Sequence, residues 1–216
     1  GKTVSEMADF VAGHSLGEYS ALAAAGTFNV KDAAHLLRLR GDAMQKAVPV
    51  GEGAMAALLG ADLELADDIV KIASDAGLVQ IANDNAPGQI VVSGSRAGVE
   101  KAIDVAKEKG LRRVLQLPVS APFHCDMMAP AADVMSRALS ATCMKDAEIA
   151  VVCNITASAE QSADQLRQNL IAQVTGRVRW RETLLELSGQ GVTRYVEIGT
   201  GKVLSGLVKR TVDGAD

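Results

Sequence analysis

Phe10–Leu22 reads FVAGHSLGEYSAL. A short apolar run ends in Gly-His-Ser-Leu-Gly and is followed by residues rich in Ala and Leu. That order predicts a strand, a sharp turn and a helix, with a serine at the apex. A turn this tight brings strand and helix backbones together, so small residues are needed on both sides of the serine. Gly13 and Gly17 meet that need. Ser15 then stands at a helix N-terminus, where unpaired N–H groups favour developing negative charge. The bare G-x-S-x-G pattern is common by chance. The runs before and after it supply the context that makes Ser15 a candidate nucleophile.

A serine nucleophile needs a base within hydrogen-bond reach. His14 is its neighbour, but adjacent residues at a turn point in different directions, so His14 is read as shaping the elbow. His35 lies in VKDAAHLLRLRGDAMQKAV and is read as a helix residue without a chemical role. His124 lies in LPVSAPFHCDMMAP, where Pro118 and Pro122 exclude regular helix. Site residues concentrate on such irregular segments, and His124 is the better base.

The chain has 216 residues, enough for one large domain or two small ones. Its 48% hydrophobic and 3% aromatic content predicts a core of Ala, Val, Leu and Ile. No run of apolar residues reaches the length of a membrane span, so no membrane role is expected. Cys125, Cys143 and Cys153 form no C-x-x-C pair, which favours reduced thiols in a cytoplasmic protein over disulfides or zinc. No metal signature is present. A net charge of −4 argues against nucleic acid as a partner. Gly199-Thr200-Gly201-Lys202 lacks the glycine and the Ser or Thr that a phosphate-binding loop requires, so nucleotide hydrolysis is rejected.

Along the chain, 7–12 reads as a buried strand, 16–25 as a helix, and 31–47 as a second helix capped by Asn29 or Thr27. Residues 53–117 then read βαββαβ, the order of a split ferredoxin-like unit, with VQIAN and QIVVSG as strands around a DNAPG turn. A helix over 127–141, the strand IAVVCN, helices near 162–173 and 180–189, the strand RYVEI and a helix from about 202 complete the pattern. Alternating strands and helices favour an α/β fold with a mainly parallel sheet covered on both faces.

Five segments occur in the order seen in malonyl-CoA:acyl carrier protein transacylases, and the chain resembles that family over nearly its whole length: GHSLGEYSAL, RLRGDAMQ, NDNAPGQIVVSG, SAPFH and YVEIGTGKVL. The resemblance implies an α/β-hydrolase-like core over 1–50 and 121–216, interrupted by a ferredoxin-like subdomain over 51–120. It implies that Ser15 is the acylated nucleophile, His124 its base and the backbone N–H of Leu16 an oxyanion donor. Gln173 resembles the glutamine whose backbone carbonyl orients the histidine, and Arg40 the arginine that pairs with the malonyl carboxylate. Phe123, immediately before the base, matches the aromatic residue that accompanies malonyl over methylmalonyl use. Asn83 and Asn85 flank the DNAPG turn; they are read as turn chemistry or as contacts to the pantetheine arm.

The implied partners are malonyl-CoA and acyl carrier protein, with no cofactor, in a monomer serving fatty acid synthesis. Arg177, Arg179 and Arg181, or Lys107, Lys109, Arg112 and Arg113, are candidate carrier-docking runs. Two features depart from the family. A Gly-Gln-Gly segment found near its N-terminus is absent, and Thr200 replaces a customary proline. The first departure, with a start at GKTVSEM, leads to the expectation that part of the core is missing and that the chain is a fragment. The rival readings are a serine thioesterase or hydrolase, which needs no carboxylate-binding arginine, and an inactive structural or binding piece.

Overall fold

The computed structural model describes residues 1–216. Strand β1 (Phe10–Ala12) leads through the turn into helix α1 (Gly17–Ala24), and α2 (Val30–Ala47) follows. Asn29 caps α2 by accepting the Asp32 N–H at 2.9 Å, whereas Thr27 is buried with its hydroxyl unpartnered. The buried residues of α2 are Ala33, Leu36, Arg40 and Met44, a stripe at helical spacing. That periodicity puts a charged residue, Arg40, on the core-facing side.

The next elements are β2 (Gly53–Leu59), α3 (Leu63–Ala73), β3 (Val79–Ala86), β4 (Gln89–Ser95), α4 (Arg96–Glu108) and β5 (Arg113–Gln116). Their strands form an antiparallel sheet in the order β3-β4-β2-β5. One face of that sheet packs against α3 and α4 through Ala56, Leu58, Ile69, Ile90, Val92 and Val105. A single 3₁₀ turn (Asp126–Met128) opens onto α5 (Ala129–Ala141), then β6 (Ala150–Val152), β7 (Ala159–Glu160), α6 (Ala163–Gln173), α7 (Trp180–Gly189) and α8 (Val203–Thr211). The largest core cluster joins α1, α2, α5, α6 and β6, with Leu22, Leu36, Met135, Leu139, Val151 and Leu170 at its centre.

The expected mixed α/β pattern is present, with four corrections. The sheet containing β1 is not mainly parallel: β1 pairs β6 in parallel and β7 adds antiparallel to β6, while the separate sheet of the βαββαβ segment is antiparallel throughout. RYVEI (194–198) is not a strand. A strand requires a neighbouring ladder, and here Tyr195 N–H bonds the carbonyl of Asp216, while Val196 and Ile198 face solvent. The strand expected at 7–12 is shorter and only half-buried, because β1 has a ladder partner on one side alone. Finally, β3 runs on to Ala86, so Asn83 and Asn85 lie inside the strand, and the turn is Pro87-Gly88.

Register shifts between Ile81 and Asn83 and between Asp84 and Ala86 re-aim these polar side chains. At this irregular stretch β3 is tied to the segment before α7. Asp84 N–H donates to Val178 O at 2.9 Å, and Arg181 Nε lies 3.0 Å from both carboxylate oxygens of the fully buried Asp84.

Candidate active site

The strand–turn–helix around Ser15 is as tight as its sequence requires, but for one glycine only. A Cβ at Gly13 would lie 2.0 Å from the Gly17 carbonyl carbon, whereas one at Gly17 would meet nothing within 4 Å. Gly13 is therefore sterically obligatory, and the steric reason offered for Gly17 does not hold. Ser15 itself has φ 51°, in the left-handed region that costs a residue bearing Cβ about 1–2 kcal/mol. Such strain persists only where the surroundings over-determine the backbone.

Asn154, just after β6, does much of that work. Its side chain accepts the Ser15 N–H at 2.6 Å and donates to Gly13 O at 2.8 Å, gripping the turn on both sides. His14 holds the elbow from the opposite flank. Its Nε2 lies 2.8 Å from Asn85 Oδ1, and its ring packs against Trp180 with centroids 5.4 Å apart. Burial pushes the His14 pKa down. Asn85 is thus an elbow partner rather than a turn residue, and Asn83 is buried beside the Val178 bridge.

His124 reaches Ser15 from the loop between β5 and α5, with Nε2 2.7 Å from Ser15 Oγ. It too has left-handed backbone, with φ 59°. Its Nδ1 is 2.9 Å from the backbone carbonyl of Gln173. Gln173 is the last residue of α6, where carbonyls lack helical partners. Because a carbonyl only accepts, Nδ1 carries the proton and Nε2 presents its lone pair to the serine. Burial first, and then the charge of Arg40, push the His124 pKa down to about 3, so the ring is uncharged across the ordinary pH range.

Arg40 is 7% exposed, while the Arg38 side chain on the same helix is 83% exposed. Arg40 Nη2 donates to Ser15 Oγ at 3.0 Å and to Gln173 Oε1 at 3.1 Å, and its Nε–H is buried without a partner. The Gln173 side chain is fully buried and donates to Ser15 O and Glu18 Oε2 at 3.1 and 2.8 Å. Leu16 exposes its side chain at the mouth of the elbow, and its backbone N–H has no hydrogen-bond partner. Phe123 is half-buried and packs between the core cluster of α1, α2 and α5 and the other face of the antiparallel sheet.

Two residues of this constellation, Asn154 and Glu18, are absent from the sequence reading. Glu18 is fully buried on α1, where it accepts from Asn154 N–H and from the Gln173 amide. The signal available was position. Glu18 lies one turn after the serine, on the side of α1 that carries Leu22 into the core. A carboxylate on a core-facing stripe demands buried partners.

The model of a family described as "Acyl transferase domain" matches residues 3–216. The chain belongs to that acyl transferase family. It is 49% identical over 203 residues to the malonyl CoA-acyl carrier protein transacylase of Bacillus subtilis, covering 94% of this chain and 64% of that relative. The chain thus spans just under two thirds of the length of that protein. The structure of an acyl-carrier-protein S-malonyltransferase from Bartonella henselae superposes with a TM-score of 0.95 at 51% identity, over 98% of this chain and 67% of the other. A malonyl-transacylase in complex with its type II PKS acyl-carrier protein superposes with a TM-score of 0.93 at 43% identity, over 96% and 67%. Within this acyl transferase domain, Ser15 Oγ is in hydrogen-bond contact with both His124 and Arg40.

Proposed function

We propose that this chain transfers a malonyl group from malonyl-CoA to the pantetheine thiol of an acyl carrier protein through a malonyl-serine intermediate. The observation that carries the reading is the pair of contacts on one atom: Ser15 Oγ faces His124 Nε2 at 2.7 Å and Arg40 Nη2 at 3.0 Å. A base and a carboxylate-binding fork converge on the same nucleophile.

His124 takes the Ser15 proton as Oγ attacks the thioester carbonyl. The oxyanion forms near the unpartnered Leu16 N–H at the start of α1, where the helix dipole favours negative charge. Collapse expels coenzyme A as its thiol, with His124 returning the proton. The carrier's pantetheine thiol then gives its proton to His124 and attacks the malonyl ester, and Ser15 leaves reprotonated. The Gln173 carbonyl does the orienting work that an aspartate does in other triads. A guanidinium matches a carboxylate in two parallel hydrogen bonds, and the vacant Nε–H of Arg40 supplies one of the donors. Moving Arg40 onto the malonyl carboxylate also releases the lone pair of Oγ that it occupies.

The reading includes an α/β-hydrolase-like core over 1–50 and 121–216 and a ferredoxin-like subdomain over 51–120, supported by the strand order β3-β4-β2-β5 and its packed helices. Asn83 and Asn85 serve the elbow and its neighbouring strand in this reading, and Phe123 fills space beside the base. No helix is long and apolar enough to cross a membrane. The three cysteines are free thiols, which suits a cytoplasmic setting.

Initial rates with malonyl-CoA and a holo-acyl carrier protein test the proposal. Parallel double-reciprocal lines and malonyl-carrier as product are expected. Release of free malonate at the same rate with or without carrier contradicts it and favours the thioesterase reading.

A further inference from the structure

Glu18 is a buried carboxylate that the chemistry above does not use. Its Oε2 accepts two N–H groups, from Asn154 at 2.9 Å and from Gln173 Nε2 at 2.8 Å, while its Oε1 is buried with no partner. On its far side the same Gln173 amide accepts from Arg40 Nη2 at 3.1 Å. A single amide therefore separates one buried negative charge from one buried positive charge.

The other ionisable groups packed around Glu18 supply no positive charge. Tyr19 adjoins it on α1 and Cys153 faces it from the end of β6, both with pKa values pushed up to about 12 by burial. His124, bonded to the Gln173 backbone, is neutral, and burial keeps His14 toward its neutral form. Arg40 is the sole counter-charge of Glu18.

A ligand carboxylate on Arg40 takes that counter-charge away. Two carboxylates would then share one guanidinium in a site that water does not solvate, and one of them must be neutral. We propose that Glu18 is a proton-accepting counter-ion to Arg40, taking one proton from solvent on Oε1 when a carboxylate-bearing acyl group docks and returning it when that group leaves. The inference rests on the malonyl reading above. It makes Glu18 a positioning residue that renders the preference for charged over uncharged acyl groups pH-dependent, without touching either. Desolvation already raises its carboxyl to about 7, and loss of the Arg40 counter-charge on docking raises it further, so that it holds its proton at pH 8 in the malonyl complex.

Calorimetric titration of the full chain carrying Ser15→Ala, in buffers of different ionisation enthalpy at pH 8, counts protons without acyl transfer. Close to one proton taken up per malonyl-CoA and none per acetyl-CoA is expected. The malonyl-CoA Kd should rise by up to about tenfold per pH unit above neutrality, while that of acetyl-CoA stays level. Adding Glu18→Gln, which mimics the protonated carboxyl, should abolish the uptake and flatten the pH dependence. Malonyl-CoA binding without proton uptake, or uptake that survives Glu18→Gln, overturns the inference and leaves the transacylase reading standing. Absence of malonyl-CoA binding overturns both. Should Glu18→Gln not fold, the proton count and the pH series on the Ser15→Ala chain still decide the matter.

Discussion

The side chains of Ser15 and His124 meet at 2.7 Å, and both residues hold left-handed backbone, with φ 51° and 59°. Only one other non-glycine residue, Ala157, has positive φ. The strain is thus concentrated on the two groups that would exchange a proton. Asn154 and the Gln173 carbonyl hold them there.

Relief of that strain is measurable. Ser15→Gly should be more stable than Ser15→Ala by about 1 kcal/mol, because glycine adopts positive φ without the Cβ clash. Urea midpoints of the two variants check it. Equal midpoints would mean that the turn relaxes once the hydroxyl is gone.

Stability should pass through a maximum with pH. Folded His124 binds its proton less readily than the unfolded side chain, so the unfolded chain holds the extra proton between about 3 and the ordinary 6.5. Stability falls as pH falls through that window. Glu18 acts in the opposite sense: its folded pKa is raised from 4.5 to about 7, so its contribution is whole below 4.5 and is lost as pH rises toward and past 7. That loss is on the order of 3 kcal/mol. Glu18→Gln should remove the alkaline decline, and unfolding free energies from pH 5 to about 8.5 show whether it does.

Arg40→Ala should separate the two acyl groups. It leaves the malonyl carboxylate without its partner, a loss of about 2–5 kcal/mol in kcat/KM, and spares acetyl transfer. Arg38→Ala, whose side chain is exposed and paired with Asp42, should change neither by more than about twofold. Equal losses for both acyl groups in Arg40→Ala would make Arg40 a structural residue.

Of the two basic runs proposed for carrier docking, the structure favours one. Arg177 and Arg179 pair with Glu182, and Arg181 with Asp84, so two carboxylates offset most of that run's charge, while in the other run only Lys107 and Lys109 are paired, with Asp104 and Asp68. Arg112 and Arg113 are exposed and unpaired, and Arg113 begins the strand that leads into the His124 loop. Reversing both charges should raise the KM for an acidic carrier by roughly tenfold at low salt and leave that for malonyl-CoA unchanged. An unchanged carrier KM would place the docking surface elsewhere.

Much of the site was legible because its chemistry announces itself locally. An apolar run before G-x-S-x-G marks the elbow and two prolines mark the His124 loop, whereas Arg40 follows only from the family resemblance, and the structure places it on the buried stripe Leu36, Arg40, Met44. Glu18 and Asn154 were not legible, because their roles depend on partners more than 130 positions away. RYVEI alternates like a strand, yet alternation states only which residues would share a face. Whether a ladder forms depends on a neighbouring strand, and here only Tyr195 N–H finds a backbone partner, the carbonyl of Asp216.

The most direct test of the central claim is the intact mass and peptide map of the chain after brief exposure to malonyl-CoA. A single malonyl adduct on the peptide carrying Ser15 is expected, absent in Ser15→Ala and formed at least a hundredfold more slowly in His124→Ala. An adduct that persists in Ser15→Ala, or that maps to another residue such as the exposed Cys143, would contradict the assignment of Ser15 as the nucleophile.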